Sequence, residues 1–420
     1  MKKLSVFNVS LVWFGAGISL AEILAGTSLA GLGFAKAMVA VIIGHLIGGS
    51  LMFAAGMIGA RTGKSAMETV KGSFGGYGGL LFAFLNVLQL VGWTAIMIYD
   101  GAITANGIFQ TGHWLWALVI GGLIIVWLFI GLQSLGKVNT IAMGALFILS
   151  ILLCAVIFRG KNVFEAIPDL DVLGGYVPGF GGAVELAAAM PISWLPLISD
   201  YTSETEKPFK ATLAGTVIYN LVSIFMYMIG IGAVLCLKSM DLAGIMNAAG
   251  FGIAGMLIII FSTVTTTFLD AWSAGVSFES ITKKVSAKVV AIIVAALGTV
   301  AAIIWTMDNI TNFLYFIGSV FTPMIGVMII DFFVFKHSDA EKKFNWGNLL
   351  VWLIGFGVYR LLLAVDAAPE SYASWMVSLV GIFGETIPCL IVTAIFGLAA
   401  GFVVKSNKES KANKKNIGRV

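Results

Sequence analysis

Two carboxylates and a dense run of hydroxyls stand where apolar residues would be expected. Glu22 lies near the middle of an apolar run at 9–34, and Asp270 near the middle of one at 250–281. An ionisable side chain at the centre of a bilayer costs about 2.5–3.5 kcal/mol on insertion scales, so each requires a purpose. Beside a pocket, the two would repel an anion and accept N–H groups from a neutral heterocycle or a cation. An amino-acid or carboxylate substrate is therefore disfavoured. Either carboxyl, in its protonated form, is an alternative carrier of a coupling proton, and the sequence leaves sodium and proton coupling open. Ser262, Thr263, Thr265, Thr266 and Thr267 precede Asp270 within nine residues. Single membrane threonines usually bond back to their own helix. A cluster facing freed backbone carbonyls, by contrast, makes an all-oxygen cage for a hard monovalent cation. Thr265 and Thr266, with backbone oxygens near Gly15 and Ile18, are the expected ligands.

The freed carbonyls come from two interrupted helices. Phe14-Gly15-Ala16-Gly17-Ile18-Ser19 sets two glycines beside a serine, and Met190-Pro191-Ile192-Ser193-Trp194-Leu195-Pro196 places two prolines five apart. Each proline removes a backbone donor. Trp93, in Gln89-Leu90-Val91-Gly92-Trp93, sits away from the interfacial belt that membrane tryptophans prefer. Opposite unwound backbone, such an indole can stack on a planar ring. Asn86, Gln89, Trp93 and Asp100 follow roughly helical spacing, so several share a face. The candidate substrate-binding residues are Ser19, Glu22, Gln89, Trp93, Met190, Ser193, Trp194 and Asp270. The candidate metal ligands are Gly15, Ile18, Thr265 and Thr266. Glu185, Asp200 and Glu204 read as half-pore or inner-loop residues, with a gating hydrogen bond open to Asp200.

Positioning these groups is the task of an all-α integral membrane protein. Of 420 residues, 59% are hydrophobic and 11% charged, too few charges for a water-soluble surface. Three scattered cysteines give neither a disulfide framework nor a metal-spaced pair. Helical crossings need about 20 apolar residues each. The chain supplies about twelve, at 9–34, 38–60, 78–108, 114–135, 139–158, 179–199, 211–237, 250–281, 289–306, 310–334, 347–365 and 376–404. With both termini in the cytoplasm, Arg61, Lys64 and Lys71, Lys207 and Lys210, Lys283, Lys284 and Lys288, and Lys336, Lys342 and Lys343 all fall inside, as does the basic tail; outside are Lys36, Arg159, Lys161 and Lys238. This follows the positive-inside rule for a protein of the inner membrane. The net charge of +4 is thereby a topology signal and not a nucleic-acid surface. The first span is too long for a cleaved signal sequence and is expected to be retained.

The interruptions fall in the first and sixth spans, as they would if spans 1–5 and 6–10 were two inverted copies of one five-helix unit. Paired interruptions in inverted repeats point to a secondary transporter's midplane site. The expected organisation is a cytoplasmic N-terminus at 1–8, a first repeat at 9–178, a second at 179–335, two further helices at 336–404 and a basic cytoplasmic tail at 405–420.

These motifs, with Asp200-Tyr201-Thr202 and Thr265-Thr266-Thr267-Phe268-Leu269-Asp270-Ala271, resemble the nucleobase/cation symporter family, which includes cytosine permeases. The likeness covers essentially the whole chain and is greatest to the CytX-type branch of hydroxymethylpyrimidine transporters. It implies a leucine-transporter-like 5+5 inverted repeat plus two C-terminal helices, with spans 1, 2, 6 and 7 rocking against spans 3, 4, 8 and 9. It also implies stacking of a base on Trp93 and a sodium ion held by span 1 carbonyls and span 8 hydroxyls. Relatives often offer asparagine from span 8, where this chain has Thr267 and Asp270, and their span 6 aromatic, expected near Met190 or Pro191, appears here as Trp194; in both respects the chain departs from the family pattern.

The expected function is import of a neutral pyrimidine-type base, hydroxymethylpyrimidine or cytosine-like, by cation symport. The alternative is proton-coupled import of another nucleobase such as a purine, or of another heterocycle. No cofactor is expected beyond sodium as the coupling ion; the partners are the base and membrane lipid. An intramembrane enzyme lacks support: there is no H-E-x-x-H or G-x-S-x-G, and Gly63-Lys64-Ser65 has Ile58 where a phosphate loop needs glycine. A passive channel would show no dependence on a cation gradient.

Overall fold

The computed structural model describes residues 3–130, 136–175, 177–241, 243–245, 250, 252–307 and 310–417. Lys2 and Arg419 in the predicted termini, the end of the fourth predicted span at 131–135 and residue 251 of the eighth lie outside the described residues.

The first span is two helices, α1 (Val6–Gly17) and α2 (Leu20–Thr27), which meet at 45°. The glycine-serine signal explains the break. The Ile18 amide makes the last turn bond to Phe14, and the chain then extends through Ser19 at φ −136° and ψ 157°. Ser19 Oγ accepts from the Glu22 amide at 3.4 Å, capping α2. Then come α3 (Phe34–Thr62), the short α4 (Ala66–Phe74), α5 (Gly78–Phe109), α6 (His113–Ile130) and α7 (Gly136–Phe158). The sixth span is α8 (Phe180–Ser193) and α9 (Ile198–Thr202). α10 (Pro208–Gly232) ends in a π turn at Ala233–Leu237. α11 (Gly252–Ile281), α12 (Ala287–Ile304), α13 (Ile310–Ile329) with a π turn at Ile330–Phe335, α14 (Trp346–Ala367), α15 (Ser374–Phe383) and α16 (Thr386–Ile417) follow.

Among the described residues, eight single helices and the bent α1–α2 pair are long and apolar enough to cross a membrane. With α7, the α8–α9 pair and α11 they number twelve, but the twelfth expected span at 376–404 is divided into α15 and α16 at Gly384, whose φ of +66° ends α15. Leu46, Phe84, Leu88, Leu221, Ile293 and Leu297 are exposed on their outer faces, as lipid contact requires.

The break in the sixth span falls later than the prolines suggest. α8 continues through Pro191 to Ser193, and the chain turns over 194–197. Pro191 forfeits one amide, but the helix axis persists until Trp194, whose amide reaches back to Pro191 O at 3.3 Å in a tighter turn.

The helices pack in two groups. α1, α2, α3, α8 and α10 pack extensively on one another, as do α5, α6, α11 and α12; between the groups α1 and α2 meet α11 and α5 over small areas. α13 to α16 flank them, with α15 against α8. Small residues permit the close crossings in the first group. A Cβ on Gly44 would lie 2.5 Å from Val184 O, and one on Gly48 2.5 Å from Ala188 O, so these two glycines serve contact of α3 with α8 inside the protein. At Gly230 a Cβ would lie 2.0 Å from Ile23 O. Gly230→Ala is therefore expected to force α2 from α10 and cost about 1–3 kcal/mol. A lower melting temperature in detergent checks this, and an unchanged one would contradict the close packing.

Candidate functional site

A hollow lies where the two breaks meet α5 and α11. Ala16, Ser19, Ala21 and Glu22 line it from the first span, Trp93 and Met97 from α5, Met190, Ser193 and Trp194 from the sixth span, and Thr266 and Asp270 from α11. Of the eight expected substrate contacts, seven are thus brought together; Gln89 stands behind the lining. Met97, one turn beyond Trp93, was not singled out, because a methionine in an apolar helix carries no signal. The hollow holds about 20 Å³, room for one water. A planar ring enters only if side chains yield, and Met97 and Met190 are unbranched and adaptable enough to do so.

Trp93 is 6% exposed and meets Phe313 edge-on at 5.4 Å. Its indole N–H has no hydrogen-bond partner among the described residues. Asp270 is 4% exposed and its carboxyl has no hydrogen-bond partner among the described residues. A buried polar group without a partner is costly, and this one borders the hollow. Glu22, 2% exposed, is by contrast well held: Tyr219 donates to Oε1 at 2.8 Å and Ser223 Oγ lies 2.7 Å from Oε2.

Gln89 and Asn86 do structural work at the second break. Gln89 Nε2 donates to Ser193 O and to Asn86 Oδ1, each at 3.0 Å. Asn86 Nδ2 donates to Pro196 O at 3.0 Å and to Ser277 Oγ at 2.7 Å. Both amide hydrogens of each side chain are used, so α5 supplies the donors that the turn at 194–197 needs. Gln89→Leu would leave Ser193 O unpaired at a cost of about 1–3 kcal/mol. We expect a lowered melting temperature, whereas a direct base contact alone would leave stability unmoved.

The end of α1 meets the hydroxyl-rich face of α11. Helix ends leave carbonyls without intrahelical partners, and here Ser262 Oγ lies 3.2 Å from Ile18 O and Thr266 Oγ1 3.4 Å from Gly15 O. Thr265 Oγ1 donates to Ser262 O at 2.9 Å. Of the expected ligands, Gly15, Ile18 and Thr266 therefore meet, and Ser262 joins them, whereas the Thr265 hydroxyl bonds back to its own helix. This oxygen-only set, with no charged side chain, fits a hard monovalent ion. Thr267 is buried and its hydroxyl has no hydrogen-bond partner among the described residues, but it does not line the hollow.

On the side of the molecule beyond Met97, a cavity of about 470 Å³ is lined by Leu24, Thr27, Tyr99, Asp100, Thr104 and Thr311 among others. Polar contacts span the opposite side. Tyr201 OH reaches Ser273 Oγ at 3.2 Å across the two groups, and Asp200 Oδ1 accepts from the Ala66 amide at 2.8 Å. Leu4 pairs with the 204–206 backbone, donating to Glu204 O at 2.8 Å.

The expectation for Glu185 is corrected. It is neither a half-pore nor a loop residue: it lies buried where α8 meets the C-terminal helices, accepting from Tyr359 OH at 2.6 Å and from the Thr386 amide and hydroxyl at 2.7 Å each. Those donors come from α14 and the α15–α16 junction, distant in sequence, so spacing around Glu185 gives no hint of them.

A family model described as permease for cytosine/purines, uracil, thiamine, allantoin matches residues 2–377. The chain belongs to that permease family. It is thus a multi-pass membrane transporter and not an enzyme. The cytosine permease of Escherichia coli strain K12 is 27% identical over 343 residues, 79% of each chain. The hydantoin permease of Microbacterium maritypicum is 21% identical, covering 96% of this chain and 88% of its own. Among solved structures, the nucleobase-cation-symport-1 transporter Mhp1, closed with bromovinylhydantoin bound, aligns with TM-score 0.74 at 18% identity over 97% of this chain and 94% of that one. The permease thus has the expected fold: a leucine-transporter-like 5+5 repeat with two added helices.

Proposed function

We propose that this permease imports a neutral aminopyrimidine, hydroxymethylpyrimidine or cytosine-like, by sodium symport through alternating access. The observation that carries the reading is that the Asp270 carboxyl, with no hydrogen-bond partner among the described residues, lines the same hollow as Trp93 and Glu22. A ring stacked on Trp93 would give its N–H groups to those carboxylates. The named substrates of the relatives, cytosine and hydantoin, are planar neutral rings of this kind. The sodium assignment rests on the oxygen set shared by α1 and α11, which belong to different packing groups. An ion there favours whichever arrangement joins them, and only such differential affinity lets a ligand shift a conformational equilibrium.

With both termini cytoplasmic in an inner membrane, the 470 Å³ cavity opens outward and the Tyr201–Ser273 contact closes the inner side. Uptake of labelled cytosine and hydroxymethylpyrimidine into vesicles tests the proposal. Accumulation that follows an inward sodium gradient is expected; uptake indifferent to any cation gradient would indicate a channel and overturn it.

A further inference from the structure

Glu22 is one end of a buried chain that continues away from the hollow. Ser223 Oγ on α10 lies 2.7 Å from Glu22 Oε2 and 2.6 Å from His45 Nε2 on α3. His45 Nδ1 lies 2.9 Å from Val41 O. A carbonyl only accepts, so Nδ1 carries a hydrogen. The two contacts of Ser223 require two hydrogens, and its hydroxyl supplies one. The other must sit on Glu22 Oε2 or on His45 Nε2. Tyr219 cannot provide it, since its hydrogen is committed to Oε1. The chain therefore holds one removable proton in either of two forms: a neutral acid beside a neutral imidazole, or a carboxylate beside an imidazolium. Without that proton, one of two close contacts would bring lone pairs together.

We propose that Glu22, Ser223 and His45 form a proton site that loads with the base and moves with it, so that the permease carries a proton as well as sodium. This rests on the base-import reading above. The proton arrives at Glu22 from the outward cavity. When a base offers an N–H to Glu22, the Glu22 hydrogen passes to Ser223 Oγ while the Ser223 hydrogen passes to His45 Nε2. Glu22 is then a pure acceptor, balanced by the imidazolium. On release of the base the two transfers reverse and the proton leaves from Glu22. α2, α3 and α10 belong to one packing group, so the chain stays intact as that group moves.

The surroundings fit a site with one proton. Facing Glu22 are Tyr219 and Ser223 from α10, and Asp270 from α11 across the hollow. Tyr227 of α10 meets the His45 ring edge-on at 5.2 Å and donates to Leu186 O at 3.3 Å. On α8, Glu185 is turned away to Tyr359 and Thr386. No lysine or arginine makes an ion pair with Glu22 among the described residues.

Vesicles containing a pH-sensitive dye, with external labelled cytosine as the probe, separate the claims. The native protein should acidify the interior by about one proton per cytosine taken up. Ser223→Ala should cut that acidification at least tenfold, while sodium-driven cytosine uptake, though weaker, persists. Uptake by native protein without acidification, or acidification unchanged in both Ser223→Ala and His45→Asn, would overturn the proton site and leave sodium symport standing. Should no cytosine enter at all, base import fails instead, and nitrogen-15 NMR of the three histidines still decides the proton site. Native His45 should then titrate jointly with Glu22 and lose that titration in Glu22→Gln; a His45 signal indifferent to Glu22→Gln would overturn it.

Discussion

Asp270→Asn is expected to weaken base binding by about ten- to a hundredfold while the protein becomes no less stable. Hydrogen bonds to charged groups contribute about 1.5–3 kcal/mol, and each 1.4 kcal/mol is a factor of ten. The opposite behaviour of binding and stability is the informative part. Asp270 is buried at the hollow without a hydrogen-bond partner among the described residues, so the folded protein loses no such contact when the charge is removed and is spared its desolvation. Binding sites commonly hold such costs in exchange for function. Calorimetric titration with cytosine and thermal unfolding of the same samples check both halves. Unchanged affinity, or a marked fall in melting temperature, would show that the carboxyl has a structural partner rather than a substrate.

Thr266→Ala should abolish the effect of sodium on base binding and leave a weak, sodium-independent affinity. Thr266 Oγ1 lies 3.4 Å from Gly15 O, bridging α11 to the open end of α1. If an ion there joins the two groups, its removal uncouples two ligands whose coupling is typically about 1–3 kcal/mol, or about 5–150-fold in affinity. Linkage requires reciprocity, so cytosine should also cease to tighten sodium binding. Ser262→Ala should act in the same direction, since Ser262 Oγ reaches Ile18 O at 3.2 Å. Fluorescence titrations at several sodium concentrations read the coupling directly; a variant that keeps the native sodium dependence would move the ion elsewhere.

What the sequence discloses here is local chemistry. Gly17 and Ser19 mark the first break because an N-cap follows a glycine-rich helix end. Trp93 and Asp270 stand out because each conflicts with its apolar surroundings. The second break is less legible: prolines at 191 and 196 bracket it, but its position depends on where Asn86 and Gln89 can deliver donors, and those lie a hundred residues earlier in the chain. Gln89 itself looks like a ligand for the same reason it is useful to α8: a buried amide needs partners. Ser223, His45 and the donors around Glu185 escape sequence reading altogether. The partner of each is fixed by tertiary packing rather than by period.

The most direct test is a structure determined with cytosine and sodium present. The account predicts a ring lying flat against Trp93, between the breaks at 18–19 and 194–197, with N–H groups directed at Asp270 or Glu22. A ring found instead in the larger cavity beside Tyr315, Arg360 and Asp366, with Trp93 and Asp270 untouched, would contradict it.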